Sequence, residues 1–85
     1  MSESKMDEAE ARRRLRAWIV QTSGGIREDE LTDETPIIER RLIRSLRIPD
    51  LILFIEELSG RPVRPEQLRP GVFRNVDAIV ANFFR

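Results

Sequence analysis

The chain has 85 residues, 40% of them apolar, and its 15 basic and 15 acidic side chains cancel. That length makes one small domain, able to bury roughly 60 to 65% of the surface its unfolded chain exposes, and is too short for a deep substrate cleft. With neither cysteine nor histidine, the chain has no disulfide, no thiolate, and neither the commonest general base nor the commonest metal ligand, so the expectation is no enzyme, no catalytic residue and no metal site.

The opening stretch, MSESKMDEAEARRR, lacks the apolar centre of a signal peptide, and no run approaches the roughly 20 apolar residues a bilayer needs. The chain therefore reads as cytoplasmic, a single domain over residues 1–85 with residues 1–6 as a loose extension. From Ser4 to about Thr22 the pattern is helical, because Ala11, Leu15, Trp18, Ile19 and Thr22 fall on one face. Ser4 with Asp7 resembles a capping pair, Glu8 and Glu10 suit the positive end of the helix dipole, and Ser23-Gly24-Gly25 stops the helix. Arg12, Arg13, Arg14 and Arg16 raise nucleic-acid binding as an alternative. Acidic residues share their helix and no base-stacking aromatics interleave, which is the pattern of a solvated, salt-bridged face.

Residues 26 to 44 form a long connection without a clean period. Its apolar residues, Ile26, Leu31, Ile37, Ile38, Leu42 and Ile43, are expected to pin it to the core, since such loops are otherwise uncommon in compact domains. A second helix is expected from Ser45 or Leu46 to Ser59, closed by Gly60. Pro49 then lies in its first turn, where most backbone N–H groups lack an intrahelical partner. Pro62, Pro65 and Pro70 bracket a single turn, Pro65-Glu66-Gln67-Leu68. A last helix starts from an Asn75 cap, with Val76, Ile79, Val80 and Phe83 on one face. Three main helices and one short one give an all-α class, a small four-helix bundle.

The second helix carries two stripes. Ile48, Leu51, Ile52, Ile55, Leu58 and Ser59 share the face expected in the core. Nearly opposite, Leu46, Asp50, Leu53 and Glu57 alternate apolar and acidic, flanked by Arg47 and Phe54. A small bundle buries one side of a helix, so this second stripe is expected to stand in solvent as a docking surface. Ser45, at its head, is either a helix N-cap or a modification target. As a nucleophile of the chain's own it fails, having no histidine to activate it, and as a cap it lacks the Glu or Gln three residues on that completes a capping box. A phosphate on Ser45 would lie at a helix start between Arg44 and Arg47, where an anion is favoured.

A serine followed by Leu46, apolar Leu51 and Ile55, then Glu56-Glu57 and Gly60, resembles the phosphopantetheine attachment site of acyl and peptidyl carrier proteins. The likeness covers about residues 8 to 84: "LTDETPIIERRLIRSL" looks like the family's first loop, "PEQL" like its third helix and "NVDAIVANFF" like its last. The resemblance implies that Ser45 receives 4′-phosphopantetheine from coenzyme A through a phosphopantetheinyl transferase. The arm would hold an acyl or aminoacyl group as a thioester, and the reactive sulfur would belong to the cofactor. It also implies docking on enzymes through Leu46, Arg47, Asp50, Leu53, Phe54 and Glu57. Those partners are an acyl- or aminoacyl-activating enzyme and downstream acyl-processing enzymes, with the carrier a monomer bound to neither membrane nor nucleic acid. One departure is plain. The residue before the serine is usually acidic in the fatty-acid branch, and here it is Arg44, with Arg40, Arg41 and Arg47 close by. That points to a free-standing carrier of a specialised biosynthetic pathway. The alternative kept beside it is a helical adaptor in which Ser45 is only an N-cap.

Overall fold

The computed structural model describes residues 7–85; the expectations of a loose extension over residues 1–6 and of Ser4 as a cap lie outside the described residues. Helix α1 spans Glu8–Ser23, α2 Ile48–Ser59 and α3 Val76–Phe83, with 3-10 turns at Glu28–Glu30, Ser45–Arg47 and Pro65–Gln67. The described chain is all-helical, with no strand, and no described helix is long and apolar enough to cross a membrane.

Helix α1 begins at Glu8, later than its spacing predicts, because Asp7 is extended (φ −78°, ψ 167°) and its carboxylate accepts the Glu10 N–H at 2.9 Å. It ends where Gly24 turns left-handed (φ 68°), as the glycine pair predicts. Asn75 caps α3 as expected, its side-chain oxygen accepting the Ala78 N–H at 2.8 Å.

The core is one cluster. Leu15 and Ile19 from α1, Leu51 and Ile55 from α2, and Val76, Ile79 and Val80 from α3 are all fully buried. Burying each aliphatic side chain of this kind stabilises the fold by roughly 1.5–3 kcal/mol. Ile48, Ile52 and Leu58 of α2 are half-buried beside them, so the expected core face of that helix is the observed one.

The long connection is pinned, though not only by its apolar residues. Leu31, Ile37 and Ile43 are buried. Ile38, expected as a further anchor, is 39% exposed, because two consecutive residues of one tight turn cannot both face inward and Ile37 takes the core. That turn closes when Leu42 N–H donates to the Ile37 carbonyl at 2.9 Å and Arg41 N–H to Ile38 at 3.0 Å, leaving Arg41 left-handed at φ 59°. Backbone bonds from Asp77 N–H to the Asp33 carbonyl (3.0 Å) and from Ile37 N–H to the Arg74 carbonyl (2.9 Å) stitch the connection to the start of α3.

A polar clamp completes it. Arg12 of α1 donates to Asp33 at 2.9 Å and also to Asp77, and Arg16 donates to Asp33. The expectation of a solvated face therefore fits Arg13 and Arg14, which pair with Glu10 on the surface. It fails for Arg12 and Arg16, which are partly buried and hold three segments together. The pairing also draws the Arg12 pKa upward, through hydrogen bonds to Asp77 and then Asp33.

Candidate functional site at Ser45

Ser45 opens the 3-10 turn Ser45–Arg47, and its side chain is exposed. The geometry around it follows from Pro49. Were Ser45 the N-cap of an α-helix, the first i→i−4 bond would need an N–H at residue 49 to reach the Ser45 carbonyl, and proline has none. The Ile48 N–H takes that carbonyl in a 3-10 bond instead, and the Arg47 N–H binds the Arg44 carbonyl at 2.8 Å. Those are the two donors a Ser45 cap would serve. Both being satisfied, the Ser45 hydroxyl makes no hydrogen bond with any described residue, and the N-cap position of α2 falls to Arg47 without a side-chain bond. Pro49 sits in the first turn of α2, as expected, and Gly60 closes the helix at φ 73°. The capping role weighed for Ser45 is thus not the one it has.

The second stripe stands in solvent. Leu46 is 90% and Leu53 59% exposed, and Asp50 and Glu57 are exposed between and beyond them. Arg47 is exposed too, and its guanidinium pairs with Asp50 at 3.1 Å, which orients both side chains. Phe54 parts company with the stripe: half-buried, it stacks on Trp18 of α1 with centroids 5.5 Å apart. Its ring belongs to the seam between helices more than to the open face.

Beside Ser45 lies an open groove of about 490 Å³, with Ile38, Ile48, Pro70 and Phe73 as apolar lining and Glu39, Arg69 and Arg74 as its charged lining. A second depression that shares Ile38 and Ser45 with the first is also lined by Arg41, Ile43 and Arg44. Periodicity does not bring residues 69–74 to Ser45. The signal is the backbone bond between Ile37 and Arg74, which only the folded chain shows. Arg40, Arg41, Arg44, Arg69 and Arg74 form no ion pair among the described residues and are all exposed. Keeping Arg41 left-handed costs about 1–2 kcal/mol relative to a glycine there.

Chemically, the site offers a hydroxyl not engaged in capping, guanidinium groups suited to a phosphate, and beside them a groove with a partly apolar lining. Comparison with protein-family models and with curated proteins finds no match to this chain.

Proposed function

We propose that this protein is an acyl or aminoacyl carrier, with 4′-phosphopantetheine attached through Ser45, which delivers its cargo to partner enzymes of a specialised biosynthetic pathway. The observation that carries the proposal is the state of Ser45. It is exposed at the mouth of α2, released from capping by Pro49, and stands at the head of the solvent-facing stripe of Leu46, Asp50, Leu53 and Glu57. The fold is then a carrier-like four-helix bundle, with the single turn Pro65–Gln67 in the place of the third helix.

The residues present suit that group. Ser45 supplies the oxygen that forms the phosphodiester, giving its proton to the transferase's base as the nucleotide part of coenzyme A leaves. Arg44 and Arg47 flank the resulting anion. When bound, the arm supplies the thiol that holds the cargo as a thioester. Leu46 and Leu53 offer apolar contact, while Asp50 and Glu57 steer and orient a docking enzyme.

The test is incubation with coenzyme A and a promiscuous phosphopantetheinyl transferase, followed by intact mass. One added arm is expected, absent from Ser45→Ala. No added mass under conditions that load a control carrier sinks the proposal and leaves a helical adaptor.

A further inference from the structure

Around Ser45 the fold concentrates one sign of charge. Arg41 and Arg44 come from the connection before α2, and Arg69 and Arg74 reach the same mouth from the segment before α3; Arg40, next to Arg41 in the chain, is exposed beside them in sequence and lines neither groove. Glu39 is the one carboxylate lining either groove. Further along α2 the stripe alternates: Leu46 and Leu53 present apolar surface, Asp50 pairs with Arg47 at 3.1 Å, and Glu57 reverses the sign at the far end. Balanced over the whole chain, the charge is dipolar on this face.

Guanidinium groups gathered in one place repel each other, and the fold gives these no carboxylate partners among the described residues. Arg41 also holds a left-handed backbone, φ 59°, that a glycine would adopt without strain. None of the five contributes to the core. What would relieve their mutual repulsion is a partner bringing the opposite charge.

From this we propose that the face around Ser45 docks a protein whose own face is rich in carboxylates over the mouth, with apolar contacts for Leu46 and Leu53. The inference rests on the carrier reading for what the docking accomplishes, though not for the docking itself. A nucleic acid or an anionic membrane meets the arginines equally well. An exposed leucine has no counterpart on a phosphate backbone, and although a membrane can take a leucine, Glu57 stands unpaired among the described residues at the far end of the same stripe, against a surface of phosphates.

The experiment uses one phosphopantetheinyl transferase in two versions, its carrier-binding face made acidic or basic by substitution. Amide shifts of the full-length apo protein report binding of each version, and intact mass reports arm transfer, both at low and high salt. We expect the acidic version to bind at least tenfold more tightly, with shifts at Arg44 and Leu46, and to lose that advantage in high salt. The triple variant Arg40→Glu, Arg41→Glu, Arg44→Glu should reverse the preference while the fold, read by the dispersion of the remaining amide signals, persists. Should it not fold, Arg44→Gln alone must still weaken the acidic version's binding severalfold. Equal binding of the two versions, or preference for the basic one, overturns the inference. So does tighter binding to single-stranded DNA or to phosphatidylglycerol vesicles than to the acidic version. Docking of the acidic version while the unaltered transferase, under conditions that load a control carrier, adds no arm supports this inference and refutes the carrier reading, so the two fail separately.

Discussion

Replacing Ser45 by alanine and Asn75 by alanine asks one question of two helix starts, and the structure answers it differently for each. At Asn75 the side-chain oxygen accepts the Ala78 N–H at 2.8 Å, so truncation leaves a donor at the start of α3 without its partner. Such losses cost about 1 kcal/mol, within a range of roughly 0.5–2, or about 4–8 °C in thermal midpoint for a domain of this size. At Ser45 the two N–H groups within reach of a capping oxygen are held by the carbonyls of Arg44 and Ser45 itself. Ser45→Ala should therefore move stability by no more than about 0.5 kcal/mol, the ordinary range for an exposed site. Urea unfolding followed by far-UV circular dichroism resolves the difference. The same reasoning makes a sharper claim through Pro49. Pro49→Ala restores an N–H at residue 49, allows a full α-turn onto the Ser45 carbonyl, and makes the serine a working cap, so in that background Ser45→Ala should cost about 1 kcal/mol. Equal losses for Ser45→Ala and Asn75→Ala in the unaltered chain would refute the account of the mouth, and with it the argument that the hydroxyl is open to attachment.

The remaining expectations separate clamp from surface and core from docking face. Arg12→Ala should cost about 1–3 kcal/mol, since it withdraws charged hydrogen bonds from both Asp33 and Asp77; Arg13→Ala, which breaks a surface pair with Glu10, should hardly move the midpoint in the same unfolding measurement. Leu53→Asp or Glu57→Lys should slow arm transfer or cargo loading with hardly any change in thermal midpoint, whereas Ile55→Ala, in the core, should cost about 2–5 kcal/mol. Glu10 is held at a pKa of about 2, below its ordinary 4.5, by hydrogen bonds from Arg13 and then Arg14. Its contribution is full above pH 4.5 and is lost as the pH falls toward 2. Glu10→Gln should flatten that part of the acid-unfolding profile.

Sequence reasoning succeeded where the governing physics is local. Gly24 and Gly60 end their helices because a left-handed residue without a Cβ is needed there, and Asn75 starts α3 because its side chain reaches a donor three residues on. The core and solvent faces of α2 follow from a period of 3.6. It failed where partners are remote in sequence. Arg12 and Arg13 are neighbours of the same type, yet one clamps Asp33 and Asp77 while the other stays on the surface. The phase of α1 does not reveal this, because Asp33 and Asp77 reach Arg12 only through the backbone stitching of the connection to α3. Phe54 is a similar case, since its ring direction is settled by Trp18 of another helix.

The mouth of α2 joins both kinds of cause. Pro49 acts locally by denying the Ser45 carbonyl its i→i−4 donor; the 3-10 turn that results satisfies the donors a cap would use, and the serine is left exposed. Arg69 and Arg74 arrive from a distant segment because Ile37 hydrogen-bonds the Arg74 carbonyl. Neither cause produces the site alone. Without Pro49 the serine would cap a longer helix, and without the Ile37 bond the charge near it would come only from the connection and Arg47. A carboxylate in place of Arg44 would neutralise part of that charge, and Arg44 adds to it. Reversing the charge at Arg44 is therefore the smallest change that leaves the hydroxyl as it is and alters what the mouth attracts.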